Sequence, residues 1–124
     1  MMIAAALLLS TAGAPLTDDA DAANLAYTQC LFATSRASNE ARLPVSAFAQ
    51  KLATLCLPEQ HALERTSARI FERRGEPHPA LKAHALAEAA REQVIDSYRR
   101  TLELEPQLKR IAELCRAHPE QCRQ

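Results

Sequence analysis

Seven prolines break this chain into stretches otherwise built from helix formers. A proline has no backbone N–H and fixes its own φ, so it belongs at a helix start, in a turn or at a kink. Pro44, Pro58, Pro77, Pro79, Pro106 and Pro119 therefore mark the joints of the molecule. Between them lie mainly alanine, leucine, glutamate, arginine and glutamine, which lose little side-chain freedom in a helix. Two glycines and 4% aromatic residues leave too few turn-forming and pleat-filling side chains for a sheet protein. The expectation is an all-α fold, a small bundle of four to five antiparallel helices.

The apolar residues place those helices. Ala23, Tyr27, Cys30, Leu31 and Thr34 share one helical face, with Asp18, Asp19 and Asp21 before it at the positive dipole end and Ser38-Asn39-Glu40 closing it. Pro44 opens a second helix with the stripe Val45, Phe48, Leu52, Leu55 and Cys56. Pro58 starts a third, in which Leu63, Thr66, Ile70 and Phe71 face inward. Arg73-Arg74-Gly75 ends it, with cations on the negative terminus and glycine where a left-handed cap costs least. Glu76-Pro77-His78-Pro79 reads as a stiff linker. A long helix follows from about Ala80, with Ala83, Ala87, Ala90, Val94, Tyr98 and Leu102 on one face. Pro106 should kink or restart it, and the apolar phase shifts there to Leu104, Leu108, Ile111 and Cys115. Tyr27 and Tyr98 read as core residues whose hydroxyls reach the surface.

The first sixteen residues carry no charged side chain, and Ile3 to Leu9 form an apolar run followed by small residues. The run is shorter than the ~20 residues a bilayer span needs, so it reads as a cleavable export signal over residues 1–22, cut after Ala12 or Ala22. Residues 23–122 are then a single helical domain. Formal net charge is zero, and a cut after Ala22 removes Asp18, Asp19 and Asp21 to leave +3. Neither value drives binding to nucleic acid or anionic lipid, so no nucleic-acid partner and no membrane span after cleavage are expected.

Cys30, Cys56, Cys115 and Cys122 are an even number on an exported chain, which favours disulfides. Three pairings exist. If the first two helices form an antiparallel hairpin, Cys30 and Cys56 lie on facing stripes at similar distances from the turn. Cys115 and Cys122 straddle Pro119, where the chain can fold back. Pairing 30–56 with 115–122 is preferred, and chain entropy assigns the two loops ~3.6 and ~2.5 kcal/mol. The alternative is a metal site using Cys115, His118 and Cys122, which offer sulfur, nitrogen and sulfur at steps of three and four.

Other chemistry finds little support. The chain has no Cys-x-x-Cys turn, no His-Glu-x-x-His pattern and no glycine-rich phosphate loop. His61 and Glu64 stand one turn apart and read as a solvated pair, His78 as linker or cap, and Arg73-Arg74 and Arg99-Arg100 as solvated surface. No catalytic residues and no cofactor are assigned. An apolar cavity between the alanine-rich helices, for a small ligand, is a further reading that the sequence does not test.

The stretch Tyr27-Thr28-Gln29-Cys30-Leu31, the second cysteine at Cys56, and the segment Cys115 to Cys122 give a pattern that resembles small exported helical proteins of unknown function from alphaproteobacteria, sphingomonad-like in character. The resemblance brings no activity and no site residues. The expected protein is periplasmic or secreted, not an enzyme, and serves as a structural or protein-interaction module with an unknown protein partner.

Overall fold

A computed structural model describes residues 14–123, and the fold is all-α: four helices and a closing 3-10 turn, with no strand among the described residues. The helices are α1 (Ala14–Glu40), α2 (Val45–Leu55), α3 (Leu57–Arg73) and α4 (Pro79–Ala117), and the turn spans Pro119–Cys122.

The joints fall where the prolines put them. Pro44 is the extended residue before α2, and Pro58 lies in the first turn of α3, where a missing N–H costs nothing. Gly75 follows α3 with φ +71°, the left-handed value that ends a helix, and its N–H donates to the Glu72 carbonyl at 3.0 Å. His78 precedes α4, itself left-handed at φ 53°, and Pro79 begins the helix.

Two boundaries differ from expectation. Asp18, Asp19 and Asp21 do not precede α1 but lie within it, on exposed positions. Pro106 does not restart a helix but lies inside α4, which is one helix of 39 residues. A proline removes a single i to i−4 bond. The turns beyond it are closed by the His118 N–H on the Leu114 carbonyl, 2.8 Å, and by the Cys115–Cys122 disulfide.

Long-range contacts give the topology. Tyr27 of α1 touches Ala87 of α4, while the α1–α2 loop touches Tyr98 and Glu105, so α1 and α4 run in the same direction. Between them α2 and α3 run back in succession, and Cys30 is bonded to Cys56 at their junction. The core is Tyr27, Leu31, Phe48, Leu52, Cys56, Leu63, Ala87 and Tyr98, with Ala23, Val45, Ala90, Val94, Ile95 and Leu102 packed on its rim. Phe48 and Tyr98 stack with ring centroids 4.0 Å apart. Leu55, expected on the inner stripe of α2, is exposed.

The tyrosine hydroxyls do not reach the surface as expected. The Tyr27 hydroxyl donates to the Ala87 carbonyl at 3.2 Å, and the Tyr98 hydroxyl donates to the Leu43 carbonyl at 2.6 Å. Ala83 and Ala87 are fully buried, and their small side chains let a neighbouring helix come close enough for the first of these bonds. Burial holds both phenols above the ordinary tyrosine value; for Tyr27 the Arg91 cation works against this, and Glu88 and Glu64 add to it.

Candidate interaction surface

The core side of α4 ends near Leu102. The last side-chain tie between α4 and the α1–α2 loop is an exposed ion pair of Arg42 with Glu105, 3.7 Å. From there α4 continues to Ala117, about 18 Å further at 1.5 Å per residue. Every residue from 106 to 114 is exposed. Helix α4 simply outruns the helices that could cover it.

This projecting end is not polar all round. Leu104, Leu108, Ile111 and Leu114 are 49%, 61%, 55% and 57% exposed. Steps of four and three put the first three on one face, Cys115 continues that face, and Leu114 widens it. Large apolar side chains grouped on one face are what a contact surface presents, whereas exposed apolar residues scattered singly need no explanation. Leu25 and Phe32, seven residues apart on the outside of α1, form a smaller exposed pair.

The end is covalently closed. Cys115 and Cys122 are joined, Cα atoms 5.7 Å apart, so the Pro119–Cys122 turn folds back on the last turn of α4. The Gln121 N–H bonds the His118 carbonyl at 3.1 Å, and the Arg116 side chain reaches the Ala112 carbonyl at 3.4 Å. Cations near a helix C-terminus offset its negative dipole end. Charge is graded along the projection: Glu103 and Glu105 stand at its base, and Lys109, Arg110 and Arg116 with Glu113 stand further out.

That closure corrects the metal alternative. A site on Cys115, His118 and Cys122 needs two thiolates, and both sulfurs are bonded to each other. Among the described residues no group of three or more histidine, cysteine, aspartate or glutamate side chains is placed to hold a metal ion. The other two cysteines are bonded as well, Cys30 to Cys56, with the Thr34 hydroxyl 3.7 Å from the Cys56 sulfur.

A second cluster lies between α3 and α4. The His84 ring meets Glu64 through Nδ1 at 2.7 Å and faces Glu88 through Nε2 at 3.7 Å, while Glu88 also pairs with Arg91. The Gln60 amide donates to Glu64 at 3.0 Å. Burial pushes the Glu64 carboxyl up, but the hydrogen bonds from Gln60 and His84 and the fields of His84 and His61 outweigh it and hold the group below the ordinary glutamate value. The Nδ1 contact joins α4 to α3, and the Nε2 contact stays within α4. The cluster straps two helices together.

The field of His61 acts on Glu64 from one turn away, but the hydrogen-bonded partner is His84, twenty positions on in the chain. Arg99 and Arg100 sit on the surface and pair with Asp96 at 2.7 and 3.9 Å, and Arg73 and Arg74 are exposed at the end of α3. A groove along Ala89, Glu92, Gln93, Ile95, Asp96 and Arg99 is open to solvent and lined by α4 alone. The projection itself had one sequence signal, the change of apolar phase at Leu104; the partner missing from that new face had none.

Comparison with protein-family models, with curated proteins and with solved structures finds no match for this chain. No described helix is long and apolar enough to cross a membrane. What the fold defines is a disulfide-linked helical bundle with one projecting, closed helix end.

Proposed function

We propose that this chain is an exported, non-enzymatic helical module, periplasmic or secreted, that offers the projecting end of α4 to a protein partner. The observation that carries the reading is four large apolar side chains, Leu104, Leu108, Ile111 and Leu114, each about half or more exposed on a helix end that no other described helix covers. Leaving such a face in water forgoes ~25 cal/mol for every Å² that a partner would cover. Two disulfides support an oxidising compartment. Residues 1–13, the greater part of the proposed signal, lie outside the described residues. A cut after Ala12 leaves α1 whole, and a cut after Ala22 takes away its residues 14–22. On this reading the chain belongs with the small exported alphaproteobacterial proteins it resembles.

The test is a photo-reactive residue placed at Leu108 in the producing cell, with the same residue at exposed Arg69 of α3 as control. Covalent protein adducts should form from position 108 and not from 69. Equal yields at both positions would sink the proposal.

A further inference from the structure

We infer that the partner of the α4 projection is a second copy of this chain, its own projection lying antiparallel against the first. The inference rests on the reading of the projection as a contact surface and names its occupant. Leu104, Leu108, Ile111 and Cys115 stand at steps of four, three and four, the seam that lets one helix pack along another. A two-fold axis between 108 and 111 sets each Leu108 against the other copy's Ile111, and each Leu104 against the other copy's disulfide-closed end. The contact is the same patch used twice, as an isologous dimer requires.

Charge decides for a copy of itself and for the direction. Glu103 and Glu105 occupy the base of the projection, and Lys109, Arg110 and Arg116 lie beyond. Antiparallel packing brings the acidic base of each copy against the basic outer part of the other. Parallel packing sets acid on acid and base on base, which costs free energy. Glu105 and Arg116 are eleven positions apart and share a flank of the helix, so the two-fold places Glu105 of one copy beside Arg116 of the other at both ends of the seam. Glu105 also meets Arg42 of the α1–α2 loop at 3.7 Å, and both side chains remain open to solvent. The carboxylates of Glu103, Glu105 and Glu113 balance the three cations, so the two surfaces meet without net repulsion.

Geometry permits the pairing. The projecting segments run in opposite directions, so the two bundles sit at opposite ends of the seam and do not collide. The Cys115–Cys122 closure holds the last turn of α4 in place before contact, which lowers the ordering cost of association. A seam of this length falls at the small end of specific interfaces, so the dimer is reversible and concentration-dependent.

Sedimentation of the full oxidised chain, from micromolar to near-millimolar concentration, tests this. The mass should rise from monomer to dimer. Leu108→Glu and Ile111→Glu should each leave a monomer at every concentration with an unchanged helical spectrum, because both side chains are exposed in the single copy. Arg116→Glu should weaken the dimer several-fold, and adding Glu105→Arg in the same chain should restore it. A monomer throughout overturns the inference, and adducts from position 108 to a different protein would then still uphold the contact surface. A dimer indifferent to Leu108→Glu and Ile111→Glu overturns it too. So does a dimer that Arg116→Glu leaves unweakened, because parallel packing would only exchange one like pair for another.

Discussion

The two disulfides sit in opposite settings. Cys56 is buried where α2 gives way to α3, and its bond to Cys30 ties that junction to α1 in the middle of the core. Cys115 lies on the projecting end of α4, and its bond to Cys122 closes a loop with no core beneath it. The first joins segments that packing already holds together. The second stiffens a helix end that packing does not reach, since an isolated helix of this length is marginal in water. Bundle and projection are thus held by different physics, and cross-linking alone does not reveal which region carries stability.

The comparison breaks most readily at the aromatic pair. Phe48→Ala should cost about 3–5 kcal/mol by denaturant unfolding, because Phe48 is fully buried against Tyr98. Leu108→Ala, on the projection, should stay within about 0.5 kcal/mol of the parent when measured in dilute solution. Similar costs for the two would mean that the projection is packed after all.

The disulfides come next. Replacing Cys30 and Cys56 together by serine should remove about 3.6 kcal/mol, the chain-entropy value for a loop of that length. Replacing Cys115 and Cys122 should move the unfolding midpoint little, yet speed amide exchange over residues 107–117, because an end that frays on its own does not report on global unfolding. A loss of about 2.5 kcal/mol from the second pair would show that bundle and projection unfold as one unit.

The smallest effect sharpens the account of the α3–α4 strap. The folded value of Glu64 lies below that of an unfolded glutamate, so its ionised form favours the fold. Its contribution is complete above the ordinary glutamate range and is lost as acidification carries the pH down through the depressed value. Glu64→Gln should lower stability at neutral pH by about 0.2–1 kcal/mol and flatten the acid limb of the stability curve. A variant that kept the parent's acid limb would remove Glu64 from this role.

Much of the fold was legible because its signals are local. Pro44, Pro58 and Gly75 act through their own backbone, and Tyr27, Leu31, Phe48, Leu52 and Ala87 declare their face by spacing along a single helix. The surface was half legible. Leu104, Leu108 and Ile111 show the spacing of an inner face, but spacing states only that a face is apolar. Whether a neighbour covers it depends on how far the other helices extend. The strap of Glu64 and His84 was illegible for a related reason: its partners are twenty positions apart and meet only once α3 and α4 lie side by side.

By itself the sequence determined the helices and their joints, since these follow from backbone restriction and short-range periodicity, and it left three disulfide pairings open. The tertiary structure alone decided that α4 runs unbroken through Pro106 and past the α1–α2 loop, that the tyrosine hydroxyls tie helices together, and that an apolar stripe is left in water. Those outcomes depend on relative helix lengths and on contacts between distant segments, which no local pattern encodes.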